Sequence, residues 1–169
     1  MSHLKPRDVA VALQLVLEPD ATYRLLADLV GVSQGEAHNA VKRLTHARLV
    51  DPDTRSVNRQ GLLDFLSHGV PYAFAADAGP DTRGVPTAHS APPLADDFAN
   101  APAYVWPALN GTVRGQAVPP LYPAAPATAR ENPPLYEALA LVDALRVGRA
   151  RERSMALAHL RTRLHLRES

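Results

Sequence analysis

The sequence predicts a mainly α fold with a small β-hairpin, a Pro-rich extended arm and a C-terminal helical hairpin. Three observations predict it. Apolar residues recur at helical spacing over residues 6–50 and again over 132–166. Most of the 16 prolines fall in the middle of the chain, where they argue against long regular elements. Two extended segments there, "VPYAFAA" and "GVPTAHSA", flank the turn-rich "DAGPDTR" and read as a hairpin, with Pro71 and Pro86 at edge positions. At 169 residues the chain fits one modest domain, or a small domain with an appended arm.

Each element has a local reason. Pro6 suits the first turn of a helix, Val9, Ala12, Leu13, Val16 and Leu17 form its apolar stripe, and Glu18-Pro19-Asp20 stops it. Lys5 and Arg7 ahead of "VAVALQLVL" mimic a signal peptide, but Asp8 and Gln14 interrupt the run, so it reads as a helix of the mature protein. A second helix is predicted over Tyr23 to Val30, capped by Thr22 or Asp20, with Leu25, Leu26, Leu29 and Val30 inward. Gly31 sits where the chain must turn, because without a Cβ it enters the left-handed region freely. A third helix starts after Ser33, whose spacing to Glu36 is that of a capping box, and buries Ala37, Ala40, Val41 and Leu44. Leu49-Val50 reads as a short strand, "DPDT" as a turn, and Val57 to Ser67 as a fourth helix that Gly69 ends.

Past the hairpin, Ala91 to Glu131 is punctuated by proline. It also carries Tyr104, Trp106, Leu109, Val113, Val118 and Tyr122, too apolar a set for a free linker. The segment reads as an extended arm packed onto the domain or onto a partner chain. Asn132 caps and Pro133 opens a helix that runs to Gly148, and a last helix covers roughly Arg149 to Leu166. The layout expected is therefore a domain over 1–90, an arm over 91–131 and C-terminal helices over 132–169 that serve dimerisation.

Net charge is only +1, but it is unevenly spread. Residues 1–68 are balanced, 69–145 are acidic, and 146–169 carry seven Arg against two Glu, so any nucleic-acid work falls to local positive surface. There is no cysteine, which excludes disulfides, thiolate metal sites and a Cys nucleophile and suits a cytoplasmic protein. Nothing approaches transmembrane length.

The stretch "TYRLLADLVGVSQGEAHNAVKRLTHARLV", Thr22 to Val50, resembles the helix-turn-helix of bacterial winged-helix transcriptional regulators, MarR-like and GntR-like proteins included. Ala27 stands where the two helices approach closely, Gly31 is the turn glycine, Val32 plugs the gap, Ser33 opens the recognition helix, and Val41 and Leu44 anchor it. The close match covers about a sixth of the chain. It implies a winged helix-turn-helix domain that places residues 34–46 in the major groove of double-stranded DNA, as a homodimer. Gln34, His38 and Asn39 are then the candidates for base edges, and Lys42 and Arg43 for phosphates or guanine. Thr22, Tyr23 and Ser33 complete the expected DNA-contacting set at the helix starts, with Arg83 as the one cation at the hairpin tip. Asn39→Ala and Arg43→Ala are expected to weaken operator binding without unfolding the protein.

Two features depart from that family. The better hairpin comes late, around Gly79 to Gly84, rather than directly after the recognition helix. Glu36 and Asp28 also add negative charge near the expected groove. The arginines of the last helix admit two uses: gripping phosphate, or solvating the outside of a Leu-rich dimer seam. A second functional reading is a protein-interaction adaptor or antitoxin-like partner, in which the arm and C-terminal helices bind a cognate protein. An enzyme is not expected. The seven histidines show no metal-ligand spacing with a nearby carboxylate, Ser90 beside His89 is no triad, Asp96-Asp97 reads as a solvated pair, and no phosphate-binding glycine loop occurs, so neither cofactor nor metal is expected.

Overall fold

A computed structural model describes residues 3–167 of the chain. The described residues form eight α-helices and three short strands around an apolar core: α1 (Pro6–Leu17), α2 (Tyr23–Val30), α3 (Gln34–His46), α4 (Arg59–His68), α5 (Val70–Ala73), β1 (Asp81–Pro86), β2 (Tyr104–Pro107), β3 (Val113–Ala117), α6 (Ala125–Glu131), α7 (Pro133–Val147) and α8 (Ala150–Arg163). The protein is mainly helical with a small sheet.

The N-terminal helices begin and end where local chemistry dictates. Pro6 opens α1, and the Asp8 carboxylate accepts the Lys5 amide at 2.8 Å. The Thr22 hydroxyl accepts the Leu25 amide at 3.1 Å and caps α2. Gly31 ends α2 at φ +86°, its amide donating to the Ala27 carbonyl at 2.8 Å. A Cβ at Gly31 would also stand 3.0 Å from the Cβ of Ala124. Gly31→Ala is therefore expected to lower the unfolding free energy by about 1–2 kcal/mol, the usual penalty of a side chain in the left-handed region. Urea titration checks this, and an unchanged midpoint would mean that the turn relaxes freely.

Three expectations require correction. The hairpin of residues 70–91 does not form. Val70–Ala73 makes a helical turn instead, and β1 finds its partners farther along the chain. β1 runs antiparallel to both other strands: Gly84 to Pro86 lie opposite Pro107 to Val105, and Asp81 to Gly84 opposite Gln116 to Val113. β2 and β3 pair in parallel and close the sheet. Gly84 sits where both pairings meet, and a Cβ there would run into the Trp106 carbonyl.

The arm is not a separate extended segment either. It supplies β2, β3 and α6 and lies in the same core as the domain it was expected to cover. Trp106 is fully buried, and its indole N–H donates to the Asp143 carboxylate at 2.6 Å. Its neighbour along the arm, Tyr122, donates its hydroxyl to the Val30 carbonyl at 2.7 Å.

The C-terminal helices, thirdly, do not stand apart from the domain but pack into its core. α7 is buried on every side, from Leu135 through Leu145, and touches α1, α4, α5, α6 and α8. The stripe of α8, Ala156, Leu160 and Leu164, is covered inside the chain, where α8 packs on α7 and α4.

One polar cluster lies inside this apolar centre. Asp143 accepts from the Thr87 hydroxyl at 2.7 Å, from Trp106, and from the Arg146 guanidinium at 2.8 Å. Complete burial pushes the Asp143 carboxyl above the ordinary aspartate range, while Arg146, Thr87 and Trp106 pull it back. Arg146 also donates to the carbonyls of Phe74 and Pro119, so a single side chain ties α7 to the end of α5 and to the segment after β3.

Candidate nucleic-acid interface

α3 is a one-sided helix. Ala37, Ala40, Val41 and Leu44 are buried against α1 and α2, while Gln34, Gly35, His38, Asn39, Lys42 and His46 share the exposed side. Ser33 and Glu36 form the expected capping box: the Glu36 amide donates to the Ser33 hydroxyl at 3.0 Å, and the Ser33 amide to the Glu36 carboxylate at 2.9 Å. That backbone bond from Ser33, together with the Arg7 guanidinium at 3.0 Å, holds the Glu36 carboxyl below its usual range. Glu36 is thus tied into its own cap and paired with Arg7, while Asp28 of α2 is exposed.

Three of the expected contact residues have other partners, and a fourth lies elsewhere. Thr22 is occupied as the cap of α2. Tyr23 is half-buried, with the His38 ring edge-on at 4.8 Å and the Arg55 guanidinium 5.0 Å from its ring centre. Arg43 is not free at all: it makes two 2.8 Å bonds to Asp8, and its side chain is only 10% exposed beside an Asp8 at 1%. The expectation that Arg43 meets DNA is corrected, because position 43 lies on the flank of α3 that leans on α1. Arg83 is exposed, but it stands inside β1 opposite Arg114 rather than at a hairpin tip. Outside itself the sheet packs chiefly on the 3₁₀ turn at Ala88–Ser90, not on α3, which sets Arg83 apart from this surface.

Gln34, His38, Asn39 and Lys42 are brought together as expected, with Ser33 at their N-terminal edge. Sequence reasoning missed the cations that accompany them. Val50 and Val57 form a single antiparallel bridge directly after α3, around a turn in which Asp51 accepts the amides of Asp53 and Thr54 at 2.9 Å. Arg55 leaves that turn at φ +61° and folds back over Tyr23, donating to the Ala21 carbonyl. Arg48 is exposed at φ +64° between α3 and the bridge. Leu49-Val50 and "DPDT" read as strand and turn in the sequence, but the return strand is the single rung at Val57, too short to register and assigned by spacing to the fourth helix.

The end of α2 is held from a distance. The Asn132 amide donates to the Leu29 carbonyl at 2.9 Å and to the Gln14 side chain at 2.8 Å, beside the Tyr122 bond to Val30. These satisfy carbonyls that a helix C-terminus leaves open. They also fix how α2 meets the turn that presents α3.

Among the described residues no group of His, Asp and Glu is placed to hold a metal ion, and no helix is long and apolar enough to cross a membrane. Comparison of the chain with known protein families, curated proteins and solved structures returns no match.

Proposed function

We propose that the protein is a sequence-specific DNA-binding transcriptional regulator that lays α3 in the major groove. The observation that carries this reading is the exposed side of α3, where Gln34, His38, Asn39 and Lys42 stand together and Glu36 is paired with Arg7, with Asp28 on α2 the exposed acid nearby in sequence. The crossing of α2 and α3 at Gly31, with Ala27 buried between them, supports a winged helix-turn-helix arrangement. The Val50–Val57 bridge stands where a wing would, and Arg48 and Arg55 flank it as cations. Asn and Gln suit adenine edges, and Lys42 suits a phosphate.

The homodimer expected of such a regulator is kept as part of the proposal, on the strength of two-fold operators alone, because the α8 stripe is covered within the chain. The adaptor reading has less to stand on. The segment it needs as a free arm is folded into the core.

Fluorescence anisotropy with the DNA upstream of the gene, at two salt concentrations and against non-specific competitor, tests the proposal. Asn39→Ala is expected to weaken selective binding by about 1–3 kcal/mol while leaving non-specific binding intact. Lys42→Ala is expected to weaken all DNA equally and to reduce the salt slope by about one. Normal binding by a folded Asn39→Ala, Lys42→Ala double variant would remove α3 from the groove.

A further inference from the structure

An open cleft of about 600 Å³ lies between α6 and the connection from β2 to β3. Its walls are short and apolar, with Pro107 and Ala108 on one side and Pro126 on the other. Three polar groups line it: Asn110, Arg130 and Glu131. Arg130 and Glu131 are exposed, and neither makes an ion pair among the described residues. The volume falls in the range of small-molecule sites, and the lining joins an apolar body to a few polar groups.

α6 has a second face. Ala125 and Thr128 are buried on the side away from solvent, and Ala124 just before it lies against the Gly31 turn. Tyr122 before α6 and Asn132 after it hold the last carbonyls of α2. One seven-residue helix therefore forms a wall of the cleft and, through its two ends, the support of the turn that presents α3.

We propose that this cleft binds a small zwitterion with an apolar side chain, of amino-acid or dipeptide size, and that α6 passes its occupancy to the α2–α3 turn. A cation and an anion at adjacent positions favour a ligand that carries both charges. Arg130 takes the carboxylate, Glu131 the ammonium, and the prolines and Ala108 cover the side chain. Binding stands on the cleft alone, whereas the coupling rests on the reading of α3 as a DNA-binding helix.

Calorimetry without DNA tests the binding, using L-leucine and L-alanyl-L-leucine as probes, with the N-acetylated and C-amidated dipeptides as controls. At least one free probe is expected to bind at millimolar concentration or below, and each blocked control to bind more weakly. Arg130→Gln and Glu131→Gln should each weaken the probe by about tenfold or more, the loss expected when a hydrogen bond to a charged group goes. Both positions are exposed, so both variants are expected to fold as the wild type does. No binding by any probe, or equal binding by the blocked forms and both variants, overturns the site. Anisotropy with and without saturating probe then reads the coupling. A change in DNA affinity that Arg130→Gln abolishes supports it, and reciprocity demands that DNA change probe affinity by the same factor. Probe binding that leaves DNA affinity unchanged overturns the coupling. Failure to bind any DNA overturns the function proposed above and, with it, the coupling, while calorimetry still decides the site.

Discussion

Arg43→Ala is expected to lower the unfolding free energy by about 3–5 kcal/mol, the typical loss when one partner of a buried ion pair is removed. Asp8 is left buried in α1 with only the Lys5 amide to satisfy it. The stabilisation disappears because a buried carboxyl loses the two hydrogen bonds and the counter-charge that Arg43 supplied. A double substitution, Asp8→Leu with Arg43→Met, removes both charges and is expected to recover most of the loss. Urea denaturation of the three proteins measures both effects, and a single variant that unfolds at the wild-type midpoint would mean that the pair contributes nothing. The same variants bear on the DNA reading. Folded Arg43→Ala protein should keep the wild-type salt slope on DNA, since its guanidinium faces Asp8, whereas Lys42→Ala should not.

Asp143→Ala is the second large effect. Three donors converge on this carboxylate, and removing it strands the Thr87 hydroxyl and the Trp106 indole in the core and leaves the nearly buried Arg146 guanidinium without its counter-charge, held only by the Phe74 and Pro119 carbonyls. The unpaired guanidinium alone is expected to remove about 3–5 kcal/mol. Each orphaned neutral donor adds roughly 1–3 kcal/mol, though Thr87 can turn its hydroxyl elsewhere. For a domain of ordinary stability that total approaches the whole unfolding free energy, so the expected result is loss of the cooperative transition on heating. Asp143→Asn keeps the shape and one acceptor and should leave a measurable but lower transition. A cooperative wild-type melt from Asp143→Ala would show that Arg146 is held by the Phe74 and Pro119 carbonyls alone.

The parts of the fold legible in the sequence are those whose causes are local. The limits of α1, α2 and α3 follow from Pro6, Thr22, Gly31 and the Ser33–Glu36 pair, all within four residues of the boundary they set. The sheet was not legible, because β1 pairs across 19 to 35 residues with strands of four and five, too short to show alternation. A turn-rich heptad between two apolar stretches looks like a hairpin whether or not its flanks meet. The exposed row on α3 could be read from helical spacing alone. The fate of Arg43 could not, since its partner lies 35 residues away on another helix. Similarly, the stripe on α7 pointed to one buried face, but Ala138, Ala140 and Ala144 make the remaining faces just as buried. Small residues carry little periodic signal even when they are packed tightly.

The burial of α7 on all sides also has a meaning in time. The ribosome releases α1 to α4 long before residue 133 appears, and at typical elongation rates the wait is on the order of ten seconds. Until then, the faces of α1 and α4 that will meet α7 are open to water and to other nascent chains. The Asn132 bond to Gln14 spans 118 positions, so the groups that set the end of α2 are among the last to be made. α3 therefore gains the last of its supports only when the chain is nearly complete, and until then the half-made chain exposes apolar surface of the kind a holding chaperone covers.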